Sequence, residues 1–304
     1  MKIILIGGAG LLATNWAFYR RELDKLTITI HKQNIQIDKI DIININFSDI
    51  QDLTNKLLNV EADVIINTVA ISNIEFCETN PELAKLTNID YAVFLAEFCK
   101  KHTIKFVQIS TDHLFNGQNS FYDELSFKNP LNVYGKTKAI AEDEIIGKNN
   151  EALIIRTNFF GWGTSYRRSF SDFIIDNLTL NNKVHLYDDI YYTPIHINNL
   201  IDLIYKLIDS NSSGIFNIVT DDRISKYEFG ILLCDVFDFD KNLIIKSNIE
   251  INKSLILRPK DMSLSNNKIK KLFNLNSITV TNQLGLLYKQ FQSNFHNKIN
   301  NIGK

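Results

Sequence analysis

The chain has 304 residues, 45% of them hydrophobic, with 33 basic and 34 acidic side chains and a net charge of -1 at neutral pH. That hydrophobic content is ordinary for a globular protein, and the charge balance removes the electrostatic reason to expect nucleic acid or an anionic membrane surface as a partner. Cys77, Cys99 and Cys234 are odd in number and lack metal-ligand spacing, which predicts free thiols in a reducing cytosol, a cytoplasmic protein and no metal site. The apolar run at 2–6 stops at Gly7, far short of a membrane span, and no signal peptide is expected.

In chain order, a strand at 3–6 leads through Gly7-Gly8-Ala9-Gly10 into a helix at 11–21. Strands at 26–31 and 40–45 follow, then a helix at 49–58, a buried strand at 64–67 and a long amphipathic helix at 81–101 with Pro81 in its first turn. A strand at 104–109, the helix carrying Tyr134 and a strand at 153–156 complete the regular part. Apolar strands alternating with helices predict an α/β fold, a doubly wound, Rossmann-like parallel sheet covered on both faces. Beyond residue 158 the order loosens, with helices expected at 170–178, 197–208 and 226–237 and strands at 184–186 and 214–219.

The motif Gly7-x-x-Gly10-x-x-Ala13 follows a strand and opens a helix. Its glycines let the backbone approach a pyrophosphate, and the helix start at Leu11 and Leu12 offers free N–H groups and a partial positive charge. Residues 1–158 therefore read as a dinucleotide-binding core. Residues 159–292 read mainly as a smaller substrate-binding lobe interleaved with it, and 293–304 as a frayed polar tail. Where dinucleotide sites often place an acidic residue, this chain has His31-Lys32. Two basic groups suit a ribose 2′-phosphate, so NADP is preferred over NAD, although a solvated strand end reads the same way.

Tyr134 and Lys138 are four apart on a helix and share one face. A phenol is a poor acid–base group near neutral pH, and a fixed neighbouring cation is expected to lower its pKa toward the working range. Asn67, Ser110, Thr111 and the stretch 156–158 all fall at or just past strand ends, where ligands bind in such sheets.

With these elements assembled, the chain resembles the extended short-chain dehydrogenase/reductases, and within them the dTDP-4-dehydrorhamnose reductase group. The resemblance rests on Gly7-x-x-Gly10, Asn67-Thr68-Val69-Ala70, Asn88, Ser110-Thr111-Asp112-His113, Tyr134-Gly135-Lys136-Thr137-Lys138, Arg156-Thr157, Thr193-Pro194 and Arg258-Pro259. It implies Tyr134 as proton donor to a keto oxygen, Lys138 as holder of the nicotinamide ribose, and Thr111 as the group orienting the carbonyl. It implies further that Asn67 and Ala70 line the cofactor, that Asn88 and Ser110 stand beside it, and that Asp112, His113, Asn158 and Arg258 face a nucleotide-linked sugar. The expected activity is an NAD(P)H-dependent reduction of a nucleotide-linked 4-keto-6-deoxyhexose in polysaccharide or nucleotide-sugar biosynthesis, with a homodimer as default assembly.

Departures from the group's pattern fall near the expected sugar. His113-Leu114 follows Ser-Thr-Asp, Asn158-Phe159-Phe160 follows Arg-Thr, and Asp188-Asp189 stands where the group carries an acidic-Gln pair. Trp162, Tyr166, Arg167 and Arg168 form an aromatic-basic cluster that suits either a nucleobase and phosphate or a solvent-facing loop. Two other readings stay open: an epimerase or dehydratase of the same superfamily, and a non-catalytic regulatory subunit like that of methionine adenosyltransferase.

Overall fold

A computed structural model describes residues 1–31, 33–249 and 256–302. Up to residue 156 the elements are β1 (Lys2–Ile6), α1 (Leu11–Arg20), β2 (Lys25–Ile30), β3 (Asp41–Asn44), α2 (Ile50–Asn59), β4 (Val64–Asn67), α3 (Ile74–Thr79), α4 (Pro81–Lys85), α5 (Tyr91–Lys101), β5 (Lys105–Ile109), α6 (Val133–Lys148) and β6 (Leu153–Arg156). Then come β7 (Phe159–Phe160), α7 (Phe170–Thr179), β8 (Val184–Tyr187), β9 (Tyr191–Tyr192), β10 (Ile195–His196), α8 (Ile197–Asp209), β11 (Gly214–Asn217), β12 (Ile224–Ser225), α9 (Lys226–Phe237), β13 (Ile244–Ser247), α10 (Asn267–Phe273), α11 (Val280–Gln292) and α12 (Phe295–Asn300).

Seven strands form one sheet in the order β3-β2-β1-β4-β5-β6-β11, every neighbouring pair parallel. The chain reverses its direction of growth between β1 and β4, which opens a crevice at the carboxyl ends of the strands. Alternate residues of β1 feed two cores. Ile3 and Leu5 pack with Trp16 of α1 and Leu200 of α8, whereas Ile4 and Ile6 pack with Leu53 of α2, Leu95 of α5 and Ile145 of α6. Continuous apolar strands are what a sheet covered on both faces requires. Smaller ladders, β7 with β10, β8 with β13 and β9 with β12, build the region beside the crevice. Among the described residues no helix is long and apolar enough to cross a membrane.

The helix expected over 81–101 runs without a break from α4 to α5, through a π-helical turn at Leu86–Asp90. The wider turn carries buried Asn88, whose amide bonds both the N–H and the C=O of Ile71 and the Thr137 hydroxyl. Such bulges gather at functional sites. The tail expected to fray instead forms α12. Ile299 and Ile302 are buried, Phe295 meets Phe18 edge-on, and His296 stacks on Phe291 at 4.6 Å. The few apolar side chains of this polar stretch share one face, so docking outweighs fraying. Ile299→Ala should therefore cost about 2–5 kcal/mol in urea unfolding; a change within about 0.5 kcal/mol would mean that the tail contributes nothing.

Helix α6 is fixed to the sheet by a buried ion pair. Arg156, at the end of β6, reaches Glu142 through Nε to Oε1 at 3.0 Å and Nη2 to Oε2 at 2.7 Å, with both side chains 1% exposed. The Ser110 hydroxyl donates to Glu142 Oε1 at 2.6 Å, so one carboxylate ties β6, the residue after β5 and α6 together. Removing one member strands a buried charge. Glu142→Ala should cost about 3–5 kcal/mol in denaturant unfolding, and adding Arg156→Met should recover part of the loss.

Candidate active site

Gly7 ends β1 with φ +92°, and a Cβ there would lie 2.8 Å from Val69 Cγ2, so only glycine makes this turn against the β4 loop. The turn delivers the chain to Gly10 and α1, whose first turn has no side-chain cap. A cavity of about 370 Å³ opens over it, with Gly7, Gly10 and Ala70 on its floor and Tyr166 and Arg167 at its side. It continues into a cavity of about 400 Å³ where Phe47 and Tyr91 stack at 4.1 Å. His31 lines both, its Nδ1 3.1 Å from the Ile45 carbonyl oxygen. Among the described residues no Asp or Glu lines either space. Lys32, named with His31 from the sequence, lies outside the described residues.

A third cavity, of about 320 Å³, brings the two ends of the motif set together. Gly10, Leu11 and Leu12 line it from one side, and Ser110, Tyr134 and Lys138 from the other. The approach of α6 depends on Gly135. A Cβ there would stand 2.3 Å from the His113 carbonyl oxygen, so no other residue lets this helix lie so close to the loop after β5. Asn132 caps the helix by accepting from the Gly135 N–H at 2.9 Å. The result sets the Tyr134 phenol against the Thr111 hydroxyl, with the His113 ring edge-on at 5.6 Å.

The electrostatics correct one expectation. Burial pushes the Tyr134 phenol well above its ordinary pKa, the Thr111 hydrogen bond works against this, and Asp112 adds to the rise. The Lys138 ammonium donates to the Ile109 carbonyl at 2.8 Å, and burial lowers its own pKa to about 8 against the pull of Glu142. Both shifts have one cause, since an apolar surrounding penalises whichever form is charged. Tyr134 is a neutral O–H donor, not a phenolate.

Several residues expected at the ligand make hydrogen bonds within the protein. Asn67 donates to Gln108 Oε1 at 2.8 Å and accepts from the Val69 N–H, which consumes the side chain in shaping the β4 loop. Asn88 is spent on Ile71 and Thr137. Asp112 accepts from Asn158 Nδ2 at 2.6 Å and from Thr111 Oγ1 at 3.2 Å, and so holds those two side chains. Trp162 of the aromatic-basic cluster belongs to the core against Phe237 and Phe291, while Arg168 pairs with Asp176. Tyr166 and Arg167 do reach the glycine turn, Tyr166 Oη lying 3.3 Å from the Ala9 carbonyl oxygen.

A fourth cavity, about 400 Å³, adjoins the third through Phe170, which lines both. His113, Asn158 and Arg258 line it, as does Lys226, which the sequence reading passed over. Arg258 pairs with Glu75 of α3. Burial lowers the His113 pKa, so its ring is neutral and forms a wall. Glu142 was also passed over, although Tyr134, Lys138 and Glu142 are successive i, i+4 positions of one helix and that spacing was the available signal.

The family model of the RmlD substrate binding domain matches residues 1–293. The probable low-salt glycan biosynthesis reductase Agl14 of Haloferax volcanii is 28% identical over 252 residues, 81% of this chain and 84% of that protein. Methionine adenosyltransferase 2 subunit beta of Bos taurus is 25% identical over 246 residues, 78% of this chain and 72% of that one. The crystal structure of dTDP-4-dehydrorhamnose reductase from Bacillus anthracis in complex with NADP has a TM-score of 0.81 and 20% identity, covering 95% of this chain and 99% of that one, a likeness of fold. With a family match across nearly the whole length and with Gly10, Tyr134 and Lys138 lining one crevice, the chain belongs to the RmlD substrate binding domain family of extended short-chain dehydrogenase/reductase proteins.

Proposed function

We propose that the protein is an NAD(P)H-dependent reductase of a nucleotide-linked 4-keto-6-deoxyhexose, working in the cytoplasm as a homodimer in polysaccharide or nucleotide-sugar synthesis. One observation carries this reading: the uncapped start of α1 and the Tyr134–Lys138 face of α6 line the same cavity. A dinucleotide fits the residues present. Gly7, Gly10 and the N–H groups of Leu11 and Leu12 would take its pyrophosphate, joined by Arg167. Ala70 and Ser110 would flank the nicotinamide end, and Lys138 would hold its ribose. His31 and Lys32 would take a 2′-phosphate, and a lining without Asp or Glu among the described residues favours NADP over NAD.

When bound, the reduced nicotinamide supplies the hydride. The chain's own part concerns the oxygen that gains charge as a ketone is reduced. Tyr134 would place a hydroxyl donor at that oxygen, and Thr111 beside it would add a second by turning its proton from Asp112; donors fixed there stabilise the developing alkoxide more than the ketone. The high pKa of Tyr134 keeps its proton in place until the oxygen becomes basic enough to take it. Lys138, four residues on, is the nearest cation on the same helix face.

The relatives named methionine adenosyltransferase 2 subunit beta favour a second reading, a dinucleotide-binding regulatory subunit without turnover. Consumption of NADPH with a panel of nucleotide-linked 4-keto sugars separates the two. Stoichiometric oxidation supports the reductase. Cofactor binding without consumption, with a synthetase co-purifying, supports the subunit, and conversion without consumption supports an epimerase or dehydratase.

Tyr134→Phe should lower kcat by about 10²–10⁴-fold while leaving the NADPH dissociation constant unchanged in a fluorescence titration; normal turnover would remove Tyr134 from its role. Lys138 carries charge below its pKa of about 8 and loses it above. The kcat/KM profile should therefore be level on the acid side and fall through that range. A profile that rises there would indicate a phenolate base instead.

A further inference from the structure

Between β7 and α7, residues 163–169 form a loop whose base is closed by one carboxylate. Asp172 of α7 is wholly buried, and its Oδ2 accepts from both the Gly163 N–H and the Ser169 N–H, each at 2.7 Å. Those two donors are the ends of the loop. The other carboxylate oxygen faces Arg168 Nη2 at 3.5 Å. Gly163 admits nothing larger, since a Cβ there would lie 2.3 Å from the Arg167 carbonyl oxygen and 2.6 Å from Asp172 Oδ2. Nearer the tip, the Thr164 hydroxyl accepts from the Arg167 N–H at 3.1 Å. The entry to the loop is tied to α1 by Asn15 Nδ2, which donates to the Trp162 carbonyl at 2.7 Å.

Helix capping alone does not call for this carboxylate. The capping box that opens α9 has the same form, yet there Glu228 is exposed, and its carboxylate accepts from the Ser225 N–H at 2.6 Å. A carboxylate buried as deeply as that of Asp172 is costly to desolvate. What it gains over a simple cap is the bond to Gly163 across the loop. The loop closed in this way leans on the cofactor cavities. Tyr166 donates to the Ala9 carbonyl at 3.3 Å, and Arg167 lines both the cavity over Gly7 and Gly10 and the one shared by Tyr134 and Lys138. Arg168 pairs with Asp172 and Asp176, whereas its neighbour Arg167 has no carboxylate partner among the described residues.

We propose that Asp172 is a positioning residue for cofactor binding: by closing the base of loop 163–169 it holds the Arg167 guanidinium over the glycine turn, ready for the phosphates of a dinucleotide. This deepens the reading above and rests only on its dinucleotide site. Arg167 touches the ligand, and Asp172 acts through it. An arginine held in place before the ligand arrives loses less freedom on binding, so a closed loop favours affinity and an open one weakens it.

The test is fluorescence titration of NADPH into wild type, Asp172→Ala, Asp172→Asn, Arg167→Ala and the Asp172→Ala/Arg167→Ala double variant. Asp172→Ala and Arg167→Ala should each weaken binding by about 10- to 100-fold. Asp172→Asn keeps an oxygen for both N–H groups and should restore most of the affinity. The double variant should bind within about threefold of Arg167→Ala, because changes that act through one contact do not add. An affinity of Asp172→Ala within about twofold of wild type would overturn the inference. So would a loss as large in the Arg167→Ala background as in wild type, the result expected if Asp172 merely stabilises α7. Urea unfolding reports the fold of each variant. Where Asp172→Ala does not fold, Thr164→Val takes its place, with an expected loss of about three- to tenfold and the same overturning outcomes. Wild-type protein that binds NADPH but reduces no keto sugar would sink the reductase reading and leave this inference standing; protein that binds no dinucleotide would sink both.

Discussion

Close packing of α6 against the loop after β5 is the constraint on which the rest of the site depends. Two features enforce it. Gly135 removes the side chain that would strike the His113 carbonyl, and the buried Glu142–Arg156 pair locks the far end of the same helix face to β6. A buried ion pair is poor evidence of net stabilisation, because its desolvation cost rivals its attraction. What it supplies here is register. Tyr134, Lys138 and Glu142 succeed one another at four-residue steps along a face that an ordinary helix would fill with leucine or alanine, so packing that would have been apolar goes to polar groups with fixed partners.

The same burial sets the chemistry of the pair. Tyr134 and Lys138 move in opposite directions, the phenol up and the ammonium down, because both are pushed toward their neutral forms. An exposed pair would leave the phenol near its ordinary value and the lysine fully charged. The buried pair gives a firm proton donor beside a cation that titrates close to neutrality. Thr111 offsets part of the shift through its hydrogen bond, and Asp112 holds Thr111 by accepting from it.

The sheet was legible because its strands are buried on both faces, and uninterrupted runs such as Ile3-Ile4-Leu5-Ile6 and Val64-Ile65-Ile66 have little other use. Gly7, Gly10, Tyr134 and Lys138 were legible because their spacing follows from local geometry. Residues whose role depends on distant partners were not. Asn67 and Asn88 sit in the right segments, yet their amides are consumed by Gln108, Val69, Ile71 and Thr137, and no local pattern reveals those partners. The π-turn at Leu86–Asp90 escaped for the same reason, since the 81–101 stretch keeps helical periodicity and only the bonds of Asn88 mark the wider turn. The tail misled through composition. Its residues are mostly polar, but Phe295, Ile299 and Ile302 meet one surface and suffice to dock it.

Phe170 separates two jobs. It starts α7 and lines both the cavity that holds Tyr134 and Lys138 and the cavity that holds His113, Asn158, Lys226 and Arg258. Tyr134 and Lys138 stand on α6 beside the end of β5, whereas the second cavity is walled by the loops after β5 and β6, by α9 and by the segment near Arg258. The departures at His113 and Asn158 fall on that second set of walls. Side chains there can change size and charge without moving Gly135 or the Glu142–Arg156 anchor, because neither contact passes through them. A fold arranged in this way keeps one geometry at Tyr134 and Lys138 while the walls of the second cavity vary, and this is why the Tyr134–Lys138 pair reads clearly from sequence while the particular sugar does not.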